Sequence, residues 1–134
     1  EFLYMETDVH SDWDGATDLE VEIYFVVNID NSGGGVGDTV DLKLVCYYNG
    51  VGETAVKTQT VEKATIVGQS AQYKMFKSEH VIDWDAGSNV VEAGDKFGFI
   101  LNLETDTSEV DDIVVVNASF YYQTTHLGIE AADV

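Results

Sequence analysis

The chain contains no arginine, no proline and one cysteine, Cys46, and its only basic side chains are six lysines among 134 residues. One cysteine excludes an internal disulfide, so stability has to come from a packed core, which a chain of this length can build. The scarcity of bases excludes direct nucleic-acid binding, which needs clustered Lys and Arg to neutralise phosphates. It argues equally against docking on an anionic membrane. No run of about 18 apolar residues is present, so no segment reads as a membrane-crossing helix. The opening Glu1-Phe2-Leu3-Tyr4-Met5 lacks the basic start of a signal peptide and, beginning without Met, reads as a processed, trimmed or partly ordered chain. The lack of proline, in a chain so rich in turns, has no physical explanation in the sequence.

Catalytic signatures are also missing. There is no GxSxG, P-loop or dinucleotide fingerprint. His10, His80 and His126 have no second His or Cys at ligand spacing, so a zinc or nucleophile site would have to be assembled from remote positions. Carboxylates are so abundant that no pair is marked as a glycosidase pair. These absences predict a protein that is not an enzyme.

What the chain has in excess is acid, 25 Asp and Glu for a net charge of −19. The excess is partitioned: residues 1–42 carry eleven acids and no base, residues 43–96 seven acids and all six lysines, and residues 97–134 seven acids and no base. Apolar residues lean toward Val, Ile, Tyr and Phe, types that suit a pleated, half-buried surface. Period-2 alternation predicts strands over Leu19–Asn28, Thr39–Tyr48, Lys96–Glu104 and Asp112–Gln123. In the last of these the expected core set is Val114, Val116, Ala118, Phe120 and Tyr122. Ala55–Ile66 and Ala71–Ile82, with polar residues on both faces, read as edge strands or strands facing a partner. Gly-rich and acidic turns separate the segments, and no stretch holds a 3.6-residue period. The expected architecture is one all-β domain over 1–134, an antiparallel, jelly-roll-like sandwich, with a lead-in arm at 1–18 and a tail at 124–134.

Two acidic loops stand out. Asp12-Trp13-Asp14-Gly15-Ala16-Thr17-Asp18 and Asp83-Trp84-Asp85-Ala86-Gly87 share an Asp-Trp-Asp theme, and Asp12, Asp14, Asp18, Asp83 and Asp85 are candidate calcium ligands, since calcium takes six to eight oxygens from carboxylates and loop carbonyls. The alternative is that the acids solvate loop ends while Trp13 and Trp84 plug the ends of the sandwich. Trp13, Trp84, Tyr24, Tyr47, Tyr48, Tyr73 and Tyr121 are candidates for an aromatic sugar platform, although aromatics of β-proteins serve more often as core or interface. Cys46, on an apolar strand face, reads as a small core residue.

The charge partition points to assembly. With the acidic ends on one side of a sandwich and the lysine-bearing strands elsewhere, Lys57, Lys63, Lys74 and Lys77, with Tyr73 beside them, form a candidate interface to a neighbour's carboxylates.

Three segments together resemble a group of tailed-phage virion-associated β-sandwich proteins. Trp13-Asp14-Gly15-Ala16-Thr17-Asp18-Leu19-Glu20-Val21-Glu22-Ile23-Tyr24-Phe25 is similar to that group's aromatic lead-in and "Gly-Thr-Asp" turn. Val40–Tyr48 is similar to its second strand, and Val114–Gly128 to its C-terminal strand and ending. The sequence departs from the group in having Tyr24 and Tyr121 or their neighbours where His is usual, in lacking Arg, and in lacking its N-terminal segment. The resemblance implies a sandwich fold and virion association: a capsid decoration protein or a tail or fibre subunit at the particle surface. Its partners would be further copies of itself, in a trimer or larger ring, and major capsid or tail proteins. Two alternatives come from other classes, a calcium-dependent carbohydrate-binding module and an extracellular filament subunit joined by strand exchange through residues 1–12.

Overall fold

A computed structural model describes residues 2–124 of the chain, so the expected tail beyond Thr124, and His126 with it, lies outside the described residues. All six expected strands form: β2 (Leu19–Val27), β3 (Thr39–Asn49), β4 (Lys57–Ile66), β5 (Met75–Ile82), β6 (Lys96–Leu103) and β7 (Ile113–Tyr121). A seventh, β1 (Phe2–Asp8), takes up the first part of the expected lead-in arm at 1–18. It pairs antiparallel with β6 from Phe2↔Asn102 to Asp8↔Lys96. Four apolar residues in succession at its start hide the alternation that places Leu3, Met5 and Thr7 on one face.

The strands make two antiparallel sheets, ordered β1-β6-β3-β4 and β5-β2-β7. Only β3 and β4 are neighbours in both sequence and sheet; every other connection crosses from one sheet to the other. The all-β sandwich is thus present, while the jelly-roll connectivity is not established by this strand order. No helix occurs among the described residues.

The core follows from the pleat. Leu19, Val21, Ile23, Phe25 and Val27 of β2 face Leu42, Leu44, Cys46 and Tyr48 of β3 and Phe97, Phe99 and Leu101 of β6, all of them buried. Each fully buried Val, Leu or Phe contributes roughly 1.5–3 kcal/mol relative to an exposed one. Tyr48 stacks on Phe97 with ring centroids 4.6 Å apart. Phe97 touches Phe99 and Phe120, and Phe120 touches Tyr122 at 5.8 Å. The Tyr48 hydroxyl donates to the Asn89 carbonyl and accepts from Gln59 Nε2 at 2.8 Å, so a large ring is buried with its polar end satisfied.

One strand departs from simple alternation. In β7, Tyr24 pairs with Asn117 but Phe25 pairs with Val115, so Val116 is an extra residue in a β-bulge. The bulge changes the phase. Ala118, Phe120 and Tyr122 pack against the core as expected, but before the bulge it is Ile113 and Val115 that do so. Val114 and Val116, expected in the core, lie about half exposed on the outer face.

The two sides of the sandwich differ. On one, β4 and β5 approach closely: Gln59 on β4 holds the Asp83 carbonyl with Nε2 at 2.7 Å and accepts the Asp83 N–H at 3.1 Å, so one amide side chain stands in for a strand partner. Buried His80 on β5 meets the Val61 carbonyl at 3.2 Å across the same side. On the other, β1 and β7 are separated by a cleft about 340 Å³ in volume at the Leu3 and Val115 end and one of about 180 Å³ at the Met5 and Phe120 end. The lysine strands and the two terminal strands therefore occupy opposite sides.

Candidate assembly surface and acidic groups

The two Asp-Trp-Asp loops meet at one end of the sandwich. Buried Trp13 and half-buried Trp84 pack edge to face with centroids 6.4 Å apart, and Asp18 Oδ1 accepts the Trp84 N–H at 3.2 Å. Asp14 Oδ1 accepts from the Thr17 hydroxyl at 2.7 Å and the Ala16 N–H at 3.1 Å, and these two bonds hold its carboxyl below the usual range. Asp83 Oδ1 accepts the Asp85 N–H at 3.0 Å. These bonds are the local turns through which short acidic side chains shape loops. The structure thus brings Asp14, Asp18, Asp83 and Asp85 to one end, with Asp12 beside them in the chain. None of the five belongs to a close three-carboxylate group among the described residues.

Two such groups do form, and each holds a lysine of the chain. In the first, Glu53, Glu92 and Asp95 converge on Lys57 Nζ, which lies 2.8 Å from Asp95, 3.1 Å from Glu92 and 4.0 Å from Glu53. Lys57 also donates to the Val90 carbonyl at 2.9 Å and sits 5.4 Å over the Tyr48 ring. Burial works against its charge, but the bonds to Asp95 and Glu92 outweigh it and raise the ammonium above its ordinary range. With its side chain 11% exposed, Lys57 is committed within its own chain, whereas the sequence alone sets it toward a neighbour. Among the other candidates, Lys63 on β4, Lys74 before β5 and Tyr73 are exposed.

The second group, Glu20, Glu22 and Glu79, lies on the outer face of the β5-β2-β7 sheet. Lys77 reaches Glu79 at 3.1 Å and Glu22 at 3.7 Å. Burial and the neighbouring Glu79 and Glu22 carboxylates push the Glu20 carboxyl up, while Lys77 holds Glu79 down. Pairing across β5, β2 and β7 orders this face in rows: Val81, Glu20, Tyr121; Glu79, Glu22, Ser119; Lys77, Tyr24, Asn117; and Met75, Val26, Val114. Charge occupies the middle and apolar side chains both ends. Met75, Val81, Val114, Val116 and Tyr121 are each 48–56% exposed, a concentration that single surface apolars do not produce. The sequence alone points to Lys77 on this face as an interface residue and to Tyr24 and Tyr121 as aromatic candidates. Met75 and Val81 carry no signal alone, and without the bulge the alternation puts Val114 and Val116 in the core.

The outer face of the larger sheet has a shallow groove of about 350 Å³ lined by Tyr4, Glu6, Tyr47, Asn49, Val56 and Gly98, among others. Tyr4 lies over Gly98, where a β-carbon would come within 3.1 Å of its hydroxyl. Near the far end of β3, buried Asp41 accepts from the Thr107 hydroxyl, and its Oδ1 has no hydrogen-bond partner among the described residues. Glu62 beside it is pushed above the usual carboxyl range, first by its hydrogen bond to Asp41 and then by that group's charge.

Compared with protein-family models and with curated proteins, the chain matches none.

Proposed function

We propose that this protein is a non-enzymatic structural subunit of a virion, decorating a capsid or building a tail or fibre, and that it works by assembling with copies of itself. The observation that carries the assembly reading is the outer face of the β5-β2-β7 sheet, where five half-exposed apolar side chains bracket the Glu20, Glu22, Glu79 and Lys77 group. The arrangement combines apolar area for affinity with charges that fix register against a second copy. Virion association rests on the resemblance of three segments to tailed-phage proteins. The test is the mass in solution of a variant in which Val81, Val114 and Val116 become Thr and Met75 becomes Gln. These changes leave charge and strand propensity intact, so a fall to a single chain supports the reading and an unchanged oligomer refutes it.

A second reading, carbohydrate binding, is favoured by Tyr4 and Tyr47 flanking the Gly98 floor, with Glu6 and Asn49 at the rim. A neutral sugar ring would lie on the aromatic faces while its hydroxyls meet the carboxylate and amide. Glycan-array binding that disappears in Tyr47→Ala supports it, and repeating the array in chelator decides whether calcium takes part.

A further inference from the structure

We propose that the seam between β1 and β7 is a docking site for an extended segment of another protein, apolar at every second residue and carrying lysine or arginine between. Both flanking strands are sheet edges, so each has one row of backbone donors and acceptors without a ladder partner among the described residues. The cleft between them is floored by Leu3, Leu103, Ile113 and Val115 at one end, where its volume is about 340 Å³, and by Met5 and Phe120 at the other, where it is about 180 Å³. The opposite side of the sandwich, β4 against β5, is closed by Gln59 and His80. An extended segment added to an edge gains backbone hydrogen bonds, and its alternate side chains enter the pockets.

The walls set the direction and length of the occupant. Leu3 shares one end of the seam with Ile113 and Val115, while Met5 and Thr7 share the other with Ala118 and Phe120, so β1 and β7 run the same way. A strand entering antiparallel to one is therefore antiparallel to both, which is the more stable pairing. β1 has seven residues, and a matching segment spans about 23 Å at ~3.3 Å per residue. Charge sets the side chains that face outward. Asp111 and Asp112 line one end of the seam and Glu6 the other, and no lysine lines either. None of the three carboxylates forms an ion pair among the described residues. The bases that complement them have to come from the partner. The described strands of a second copy cannot supply such a segment. Its lysine-bearing β4 and β5 are already paired along their whole lengths with β3 and β2. The inference therefore holds whether or not copies of the chain assemble with one another.

The probe is a synthetic peptide of seven residues, lysine and valine in alternation with lysine at both ends and a fluorophore at its N-terminus. It is titrated against the full chain at about 150 mM salt, where long-range attraction to the acidic surface is largely screened. Fluorescence anisotropy should show saturable binding of one peptide per chain. Leu3→Asp, at a position 39% exposed, should weaken binding about tenfold by charging the apolar floor. Asp111→Asn with Asp112→Asn should weaken it about fivefold. Asp83→Asn with Asp85→Asn, which removes the same charge beside the closed β4 and β5 side, should leave it unchanged. The same peptide methylated on its valine nitrogens keeps its charge but loses the donors that face one edge, and should no longer bind. Direction is read from a peptide with a C-terminal maleimide, which should label Asp112→Cys and spare Ser119→Cys; Cys46, fully buried, does not compete. Absence of binding up to about 1 mM peptide overturns the proposal. Equal binding of the methylated peptide, or equal losses in the two Asp→Asn pairs, reduces the interaction to bulk charge and also overturns it. Labelling of Ser119→Cys in preference to Asp112→Cys overturns the antiparallel seating.

Discussion

Replacing Lys57 by Met is the sharpest single test of how this acidic chain manages its charge. The side chain keeps most of its apolar stem over Tyr48 but loses an ammonium bonded to Asp95 at 2.8 Å, Glu92 at 3.1 Å and the Val90 carbonyl. Asp95 is left buried, its Oδ2 still accepting the Glu92 N–H at 2.9 Å but with no positive charge beside it. Removing one partner of a buried ion pair costs about 3–5 kcal/mol. Because Glu92 and Glu53 open toward solvent and one backbone bond to Asp95 survives, the lower end applies, about 3 kcal/mol. For a domain of this size that is a fall in Tm of roughly 10–15 °C. The assay is thermal unfolding followed by circular dichroism at pH 7, on Lys57→Met, Asp95→Asn and the double variant. The double variant should recover part of the loss, since it no longer buries an unpaired carboxylate. A fall of less than about 3 °C in Lys57→Met, or strict additivity in the double variant, would refute the internal role. It would then return Lys57 to the surface-facing part the sequence suggested.

Three further outcomes follow from single groups. His80 is buried, its neutral ring held between the Ser78 hydroxyl at 2.8 Å and the Val61 carbonyl, and burial lowers its pKa. The unfolded chain therefore takes up the proton first, near pH ~6.5. This contribution to stability is present above that pH and is lost as pH falls below it, so the urea midpoint should drop more steeply from pH 7.5 to 5.5 in the native protein than in His80→Gln; equal slopes count against it. Burial pushes the Cys46 thiol up to about 12, so a thiol reagent should react at the rate of unfolding, and rapid labelling of the folded protein contradicts the core assignment. Glu62→Gln replaces the carboxyl hydrogen-bonded to Asp41 with an amide that donates to Asp41 at any pH. Tm at pH 7 should rise, and the gain over native should shrink in acid, where Glu62 itself carries a proton; a lower Tm at pH 7 opposes this pairing.

Most of the sandwich was legible because alternation is a direct imprint of the pleat. In β2 the apolar set Leu19, Val21, Ile23, Phe25, Val27 is the buried set, and the polar character of 55–66 and 71–82 foretold the two edge strands β4 and β5. What was hidden had physical reasons. β1 opens on consecutive apolar residues because Tyr4 covers Gly98 on the outer face while Met5 packs against the core and Leu3 lines the cleft beside Leu101, so both faces read as apolar. In β7 a bulge at Val116 shifts the phase, and no composition rule marks which residue of Val114-Val115-Val116 is the extra one. Lys57 looked like a surface charge because its partners Glu92 and Asp95 come from a loop 35–38 residues away. The outer face of the β5-β2-β7 sheet is hidden as a whole for the same reason, since strand pairing composes it from three separate segments.

Assembly through apolar surface, as proposed, has to work against a net charge of −19, and sedimentation equilibrium of the unmodified protein against salt is the decisive measurement. At about 150 mM salt the Debye length is ~8 Å and repulsion between copies is largely screened, whereas at about 10 mM it reaches ~30 Å. If the proposed assembly holds, an oligomer is present at the higher ionic strength and dissociates toward single chains of 14.7 kDa as salt is removed. A mass of one chain at every concentration and every ionic strength would contradict it.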